Sequence, residues 1–489
     1  PPPLARLASA LGPYLAGARP MHTQNQDEEG VNVLYRSGDP GGMLTRMRVG
    51  MLPFYVLAAA MVYLWARRHF GPAVAVLSTA LYTIVPTVLA HAGLATTDIP
   101  LAGCFTAAFF AMLLWAEEPT WLHSAVFGLV TGLAVVCKFT VLGFLPAAAV
   151  FAAIAWFAVT RPGVDGAVAA AKSRVLPALA AILSGALTIW AVYSFSFGKP
   201  YVYSLSTGKP YGWGFPVPAP SLFEGISFAL YHNGKGHAAY FMGEIRNTGW
   251  WYFFPVLLLI KTPIAWLVLT LIGLVVSLGR RAQLAYWMPI AFAAGVLIPS
   301  ITSHVNIGLR HILPIYSGLA IIAGIGLHRL LELQPSRVWA ATLAALLPLW
   351  AIGSGLLQHP NYLAYFNEFV GEHPERIVVD SDLDWGQDTI RLKRRLQQIG
   401  ANQVNFFTLN LTPERLMIWP ALPNVRTIKA IEPLEGWTAV SPTIAAVDQY
   451  GLRHQFPQLR PWFTYIEPRE RVGALSLYYV PPGSLPNAR

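Results

Sequence analysis

Ten long apolar stretches occupy most of residues 47–358 and constrain the fold more than any other feature. A transmembrane helix needs about 20 predominantly apolar residues, and these stretches approach or exceed that length. Only 12% of all residues are charged, about half the share found in soluble domains, so a water-soluble protein is excluded. The sequence predicts an α-helical polytopic membrane protein with spans near 47–66, 72–90, 99–115, 122–137, 139–160, 175–195, 253–278, 285–301, 311–328 and 338–357.

Basic residues in the short loops predict the orientation of these spans. Lys and Arg accumulate in cytoplasmic loops, and one set of short loops holds nine of them, whereas the other holds only Lys138 and Arg310. We expect the side with nine basic residues to be cytoplasmic. Residues 1–46, the 196–252 loop and residues 359–489 should then lie outside. The nine are Arg67, Arg68, Arg161, Lys172, Arg174, Arg280, Arg281, Arg329 and Arg337.

Charge and composition divide the chain into three predicted parts. Residues 1–46 form an extracytoplasmic segment, with leucines at helical spacing near its start that suggest an interfacial helix. Residues 47–358 form the transmembrane domain. Residues 359–489 hold 13 basic and 13 acidic residues, so the whole net charge of +10 belongs to the rest of the chain. This neutral part should be a small extracytoplasmic α/β domain.

The start of the chain carries a further expectation. Ten spans place both ends outside, yet Pro1-Pro2-Pro3-Leu4 offers neither a basic region nor an apolar region that could direct translocation. We therefore expect an eleventh span upstream of Pro1.

Several segments of 359–489 have recognisable local patterns. We expect a strand at 376–379, a helix at 389–399 that Asp388 caps, and strands at 403–409, 425–431 and 472–480.

Charged residues at the ends of the predicted spans are the main functional candidates. A charge at membrane depth costs about 2.5–3.5 kcal/mol on insertion scales, so its presence suggests a function. On the predicted outer side these residues are Asp98, Lys138, Lys261 and the pair Arg310-His311. Cations beside one carboxylate would suit a phosphate-bearing lipid and a proton acceptor. Each residue also has a structural alternative: Asp98 as a helix cap, Lys138 as a snorkelling span end, and Lys261 as part of a kink.

A run of alternating acidic residues at 380–388 offers a weaker candidate for metal binding. Asp382 and Asp384 form an Asp-x-Asp pattern, which is short and common. The run departs from a calcium loop, because its glycine comes one position late and its twelfth position is Arg391. A turn leading into a capped helix is the alternative, and no cofactor is firmly indicated.

Several motifs follow one another in a distinctive order. They are His91 to Pro100, Gly132 to Phe139, Gly243-Glu244, Gly249 to Pro255, Lys261-Thr262-Pro263, Gly308 to Pro314, Tyr362 to Asn367 and Asp384 to Asp388. In order and predicted topology, this set resembles the bacterial relatives of protein O-mannosyltransferases, which are GT-C-type, polyprenyl-phosphate-sugar-dependent glycosyltransferases.

The resemblance implies an enzyme that moves a sugar from a polyprenyl-phosphate carrier to an acceptor hydroxyl on the outer face of a bacterial inner membrane. Arg310, His311, Lys138 and Lys261 would bind the lipid phosphate, and His91 and Glu244 would contact acceptor or sugar. Asp98 matches the second acidic position of the family and is the catalytic candidate. The first acidic position, the family's favoured general base, would lie upstream of Pro1.

Two other functions remain open at this stage. A catalytically inactive GT-C-like scaffold subunit of a larger membrane complex would keep the fold without the chemistry. A transporter is less favoured, because the sequence suggests no mirrored pair of broken helices and the charges sit at one face. No basic, aromatic-rich run suggests a nucleic-acid partner.

Overall fold

The computed structural model describes residues 2–21, 23, 26–333, 337–407, 421–427 and 433–483. Most of them are helical. The α-helices are α1 (Leu4–Leu15), α2 (Gln26–Tyr35), α3 (Pro40–Val49), α4 (Leu52–Phe70), α5 (Pro72–Thr83), α6 (Pro86–Ala92), α7 (Asp98–Glu117), α8 (Trp121–Val135), α9 (Val141–Thr160), α10 (Val164–Val192), α11 (Pro220–Lys235), α12 (Phe253–Ile260), α13 (Ile264–Gly279), α14 (Leu284–Ile301), α15 (Ile315–Leu333), α16 (Val338–Leu357), α17 (Thr389–Gln398) and α18 (Pro442–Gln455).

Short 3₁₀ helices and strands connect and extend these helices. The 3₁₀ helices are Leu309–Ile312, Tyr362–Ala364, Pro374–Arg376, Asp380–Asp382 and Trp462–Thr464. The strands are β1 (Phe197–Gly198), β2 (Tyr201–Tyr203), β3 (Pro210–Gly212), β4 (Val217–Pro218), β5 (Ala239–Phe241), β6 (Glu244–Arg246), β7 (Gln403–Phe407), β8 (Asn424–Thr427), β9 (Gly436–Val440), β10 (Glu470–Val472) and β11 (Leu475–Val480).

The described residues include seven helices long and apolar enough to cross a membrane, or up to nine if each of two bent pairs counts as one span. The predicted count of ten therefore differs. The discrepancy arises at 122–137, because α8 has only 15 residues. A helix of that length rises about 22 Å, less than the roughly 30 Å hydrocarbon core.

The two bent pairs are a feature that hydropathy did not reveal. α5 and α6 are bent by 67° at their break, and α12 and α13 by 113°. Each pair was predicted as one span, with a kink as the structural alternative for Lys261, and broken helices were not expected. The two breaks therefore weaken one part of the case against a transporter.

Helix α7 lies at the centre of the helical part, since all of its residues from Asp98 to Leu113 are buried. Small residues let neighbouring helices of this part pack closely against one another, as is common in membranes. A Cβ added to Gly128 or Gly132 of α8 would collide with the backbone of α10, and one added to Gly273 of α13 would collide with that of α15. These pairs therefore fix the helix arrangement by backbone contact.

A five-stranded mixed sheet forms in the C-terminal part, with strand order β10-β11-β9-β7-β8. β7 pairs in parallel with both β8 and β9, and β11 pairs antiparallel with β9 and β10. α17 covers this sheet with the buried Leu392 and Leu396, as its periodicity predicted. The boundaries of the three predicted parts, and the side of a membrane that each occupies, remain predictions.

Some local predictions in this part were wrong. Only Val378 of 376–379 forms a bridge, to Phe241, because the preceding residues turn as a 3₁₀ helix. The predicted strand 472–480 is confirmed over 475–480 as β11, but Val472 ends β10 and the chain turns at Gly473, which has a positive φ. Asp388 makes no capping bond, because its carboxylate accepts hydrogen bonds from Arg391 and the Ala474 amide. Of the other two predicted strands, 408–409 and 428–431 lie outside the described residues.

Candidate active site

Asp98 is completely buried and lies between two cations. Lys138 Nζ donates a hydrogen bond to Asp98 Oδ1 at 2.7 Å. Arg310 Nη1 lies 3.7 Å from the other carboxylate oxygen, Oδ2. Both cationic side chains are mostly buried, with exposed fractions of 16% and 17%. Three residues that are far apart in sequence therefore form one ionic cluster, which we call the Asp98 cluster.

Helix ends position the members of this cluster. Asp98 is the first residue of α7, where the helix dipole favours a negative charge, but the cap position itself is occupied by Thr97. Lys138 follows the last turn of α8, where a cation is favoured. Arg310 belongs to the 3₁₀ helix before α15. The three side chains lie at the same depth because each residue is at or near the end of an apolar helix.

A segment of the C-terminal part holds Arg310 in place. Arg310 Nε donates to Ser381 Oγ at 3.1 Å, and its guanidinium lies 4.4 Å from the centre of the Trp385 ring. Nearby, the Leu309 amide donates to Asp382 Oδ1 at 3.1 Å. The acidic segment therefore orients an arginine that is more than 70 residues earlier in the chain.

Gly308 permits this close approach. Its φ of +126° lies in a region that side chains avoid, and an added Cβ would collide with Ser381 Oγ. The glycine of the Gly308-Leu309-Arg310-His311 motif thus has a steric role.

Lys261 lies in the break between α12 and α13, where it is 2% exposed. Its ammonium donates to the carbonyl oxygens of Leu363 at 2.7 Å and Asp382 at 2.6 Å, and it lies 4.2 Å from the Phe366 ring centre. The structure therefore uses Lys261 to join the bent pair to the C-terminal part. The ion pairs of the Asp98 cluster do not include it.

The two helix breaks lie side by side, and Asn367 supports one of them. Thr87 of α6 donates to the Lys261 carbonyl at 3.1 Å. Asn367 Nδ2 donates to the carbonyls of Leu259 at 2.6 Å and Thr262 at 2.8 Å. Carbonyls freed by a helix break at membrane depth need such partners. The Tyr362-to-Asn367 motif thus stabilises an irregular backbone next to the cluster.

Two histidines lie close to the ions. His91 is 1% exposed and interacts electrostatically with Asp98, Arg310, Lys261 and Lys138. His311 lies close enough to Lys138, Arg310 and Asp98 to interact electrostatically with all three.

Several buried polar atoms here have no hydrogen-bond partner among the described residues. They include Asp98 Oδ2, His91 Nδ1, His311 Nε2 and Asp382 Oδ2. Buried polar atoms are almost always paired. Four of them within one neighbourhood indicate a place where a polar ligand would complete the hydrogen bonding.

The remaining predicted residues lie elsewhere or serve other contacts. Glu244 is exposed on the β5–β6 hairpin and pairs with Arg246 at 2.6 Å. Asp384 accepts hydrogen bonds from the Gly386 amide and Ser441. Burial raises the pKa of Asp382, and its Oδ1 is already bound to the Leu309 amide. In the part of the chain that the structure describes, no three His, Cys, Asp or Glu side chains are placed to hold a metal ion.

Ser381 and Trp385 are the site residues that sequence reasoning missed. Both lie in the acidic segment, which the sequence presented as a metal loop or a helix-starting turn. A tryptophan beside a run of carboxylates could have suggested an arginine partner. Nothing in the sequence pointed to Arg310 as that partner.

Part of the chain matches a known family in sequence. Residues 41–180 match the sequence profile of a family described as dolichyl-phosphate-mannose-protein mannosyltransferase. The matched region includes Asp98 and Lys138 and is less than a third of the chain. Curated proteins give no significant sequence match.

The fold is similar to those of several solved structures. ArnT from Cupriavidus metallidurans bound to undecaprenyl phosphate matches with a TM-score of 0.51 and 13% identity, over 97% of this chain and 87% of that one. The same protein in the apo state matches with a TM-score of 0.49, at the same identity and coverage. Archaeal oligosaccharyltransferase AglB from Archaeoglobus fulgidus, in complex with an inhibitory peptide and a dolichol-phosphate, gives 0.46 at 14% identity, over 78% and 53% of the two chains. The first match shows a common fold, and with the family profile it confirms the resemblance that the motifs predicted.

Proposed function

We propose that this chain is a membrane glycosyltransferase that moves a sugar from a polyprenyl-phosphate carrier to an acceptor hydroxyl on the outer face of a bacterial inner membrane. The observation that carries the proposal is the Asp98 cluster, with its unpartnered buried atoms. The match to a mannosyltransferase profile and the fold shared with an undecaprenyl-phosphate-bound protein support the same reaction class.

The charge of the cluster suits a phosphate carrier. Lys138 and Arg310 contribute two positive charges and Asp98 one negative charge, so one positive charge remains. A sugar phosphodiester carries a single negative charge that would balance it. His311 Nε2 adds a further hydrogen-bonding group. An arginine held by Ser381 and Trp385 is well suited to bind a phosphate through two N–H groups.

The proposed reaction breaks the bond between the anomeric carbon and the phosphate oxygen. The bonding electrons go to the phosphate, which gains negative charge as the new bond to the acceptor oxygen forms. Arg310 and Lys138 would stabilise that charge, which is greater in the transition state than in the substrate. The hydroxyl proton goes to a carboxylate. Asp98 Oδ2 accepts no hydrogen bond from the described residues and would accept one from the acceptor hydroxyl.

The scaffold alternative gains no support from this arrangement. A protein kept only for its shape has no need to retain two cations and a carboxylate at membrane depth with unpaired atoms, because each such charge costs free energy.

Two substitutions test the proposal. Asp98→Asn and Arg310→Ala should each reduce the transfer of a labelled sugar, supplied as its undecaprenyl-phosphate conjugate, to membrane acceptors by about 100- to 1,000-fold. This is the usual cost of losing one group that stabilises the transition state. Both proteins should still insert and keep their helical content by circular dichroism.

The control is Arg329→Ala, because Arg329 is an exposed arginine at the other end of α15 that pairs with Glu332. It should transfer sugar at the wild-type rate. Near-normal transfer by both Asp98→Asn and Arg310→Ala would overturn the assignment of the site.

A further inference from the structure

A cavity lies at the end of α7 opposite Asp98. It has a volume of about 720 Å³, within the range of about 300–1,000 Å³ that small-molecule sites occupy. α7 contributes Met112 to the lining, α9 contributes Ala152 and Trp156, α10 contributes Ala170 and Arg174, and α14 contributes Met288. The α7 residues of its lining lie between Met112 and Glu117, about 21–28 Å along the helix from Asp98, so the cavity is separate from the proposed active site.

Small side chains create the space. α9 packs along α14 while α10 packs along α8. Alanines face one another across the gap between α9 and α10, where larger side chains would close it. Ala153, Phe157 and Ala171 of the lining are exposed, so the cavity opens on the outer surface of the helical part. Within a membrane, that surface faces lipid.

One fixed positive charge lies at this cavity. Arg174 Nη2 donates to the Ala116 carbonyl at 2.5 Å, and its Nη1 donates to the Ala170 carbonyl at 2.9 Å. Neutral acceptors hold it there, so its charge is not cancelled by them. Glu117, the carboxylate of the lining, is already paired with Arg68 at 2.7 Å.

We propose that this cavity binds an anionic phospholipid, with one acyl chain between α9 and α10 and the phosphate group at Arg174. The apolar, alanine-rich lining suits a hydrocarbon chain, and the uncancelled charge suits a phosphate. Exposed Lys172 on α10 and exposed Arg280 and Arg281 between α13 and α14 add positive potential at the same end. Basic pockets between transmembrane helices are known to bind anionic headgroups.

The test is lipid retention by the full-length protein. The protein is placed in nanodiscs of equal phosphatidylglycerol and phosphatidylethanolamine, moved into detergent, and weighed with its bound lipids by native mass spectrometry. The wild type should retain about one phosphatidylglycerol per chain. Ala170→Phe, which fills the cavity, should reduce that retention at least tenfold.

Arg174→Gln tests the contribution of the lipid headgroup separately from that of the acyl chain. Glutamine keeps a polar side chain with a similar helix propensity, while the charge is lost. The Arg174→Gln protein should lose its preference for phosphatidylglycerol over phosphatidylethanolamine. This result tests the role of Arg174 even if Ala170→Phe does not fold. Lys172→Gln, an exposed charge outside the lining, should retain lipid as the wild type does.

Three results would overturn the proposal. Wild-type protein that retains both phospholipids equally would remove the role of Arg174. An effect of Lys172→Gln as large as that of Arg174→Gln would make the attraction a general surface effect. Retention of a polyprenyl phosphate that Ala170→Phe abolishes would assign the cavity to the carrier lipid instead.

Discussion

Arg310 depends on neighbours from a distant part of the chain. Ser381 binds its Nε, and Trp385 lies against its guanidinium plane. Trp385 makes no ion pair, so its contribution is to limit the directions in which the arginine can point. It is therefore a positioning residue for a charge that another residue supplies.

Trp385→Ala should raise the KM for the lipid carrier by about 3- to 30-fold, the range expected for losing one cation–π contact. Because Arg310 itself remains, kcat should change much less. Trp385→Phe should restore most of the affinity, since it keeps an aromatic face. Initial rates at several carrier concentrations provide both constants.

Trp437→Ala is the matched control, because it removes a tryptophan from another arginine contact, with Arg469 at 5.6 Å. It should leave the carrier KM unchanged. An equal rise of KM in both variants would mean that the loss at Trp385 is a general effect on the C-terminal part.

Broken helices, rather than straight ones, bring Lys261 and His91 next to the Asp98 cluster. Hydropathy finds the apolar stretches correctly, because it sums over a window that a short break hardly changes. It cannot detect the break itself, since the freed carbonyls are satisfied by Asn367, about 100 residues later. The Lys261-Thr262-Pro263 sequence indicated a kink, and a bend of 113° is what the structure has there.

Asn367→Ala should lower the thermal stability of the purified protein. It removes two donors and leaves the carbonyls of Leu259 and Thr262 unpaired, and each unpaired buried group costs about 1–3 kcal/mol. The melting temperature in detergent should fall measurably, and transfer should fall with it because the break adjoins the cluster. Asn402→Ala, at an exposed position, should melt as the wild type does. An unchanged melting temperature for Asn367→Ala would show that the break is held by other contacts.

At the scale of the whole molecule, the sequence predicted the site better than the connections that build it. The sequence could identify Asp98, Lys138 and Arg310 as candidates because each lies near the end of an apolar run. The position of such a run predicts how deep in the membrane the residue lies. Their partners Ser381 and Trp385 could not be found, because a contact between residues 71 or more positions apart leaves no periodic pattern. Asp388 was predicted as a cap for the same reason: local propensity favoured a cap, and the distant Ala474 amide took the carboxylate instead.

The predicted orientation can be tested with single cysteines. The two natural cysteines, Cys104 and Cys137, are buried and should not react. Lys393→Cys, in the part predicted to lie outside, should react with a membrane-impermeant maleimide on intact spheroplasts. Lys172→Cys, on the predicted cytoplasmic side, should react only after permeabilisation. The reverse pattern would place the Asp98 cluster on the cytoplasmic face.

The length of α7 has a consequence for the two lipid-binding regions. Its 20 residues match the thickness of one hydrocarbon core, so Asp98 and Glu117 at its ends belong to different leaflets. A carrier at the Asp98 cluster and a phospholipid at Arg174 would therefore be drawn from separate monolayers. Since the two monolayers of a cell membrane differ in composition, one end of the protein can experience a change of lipid that never reaches the other.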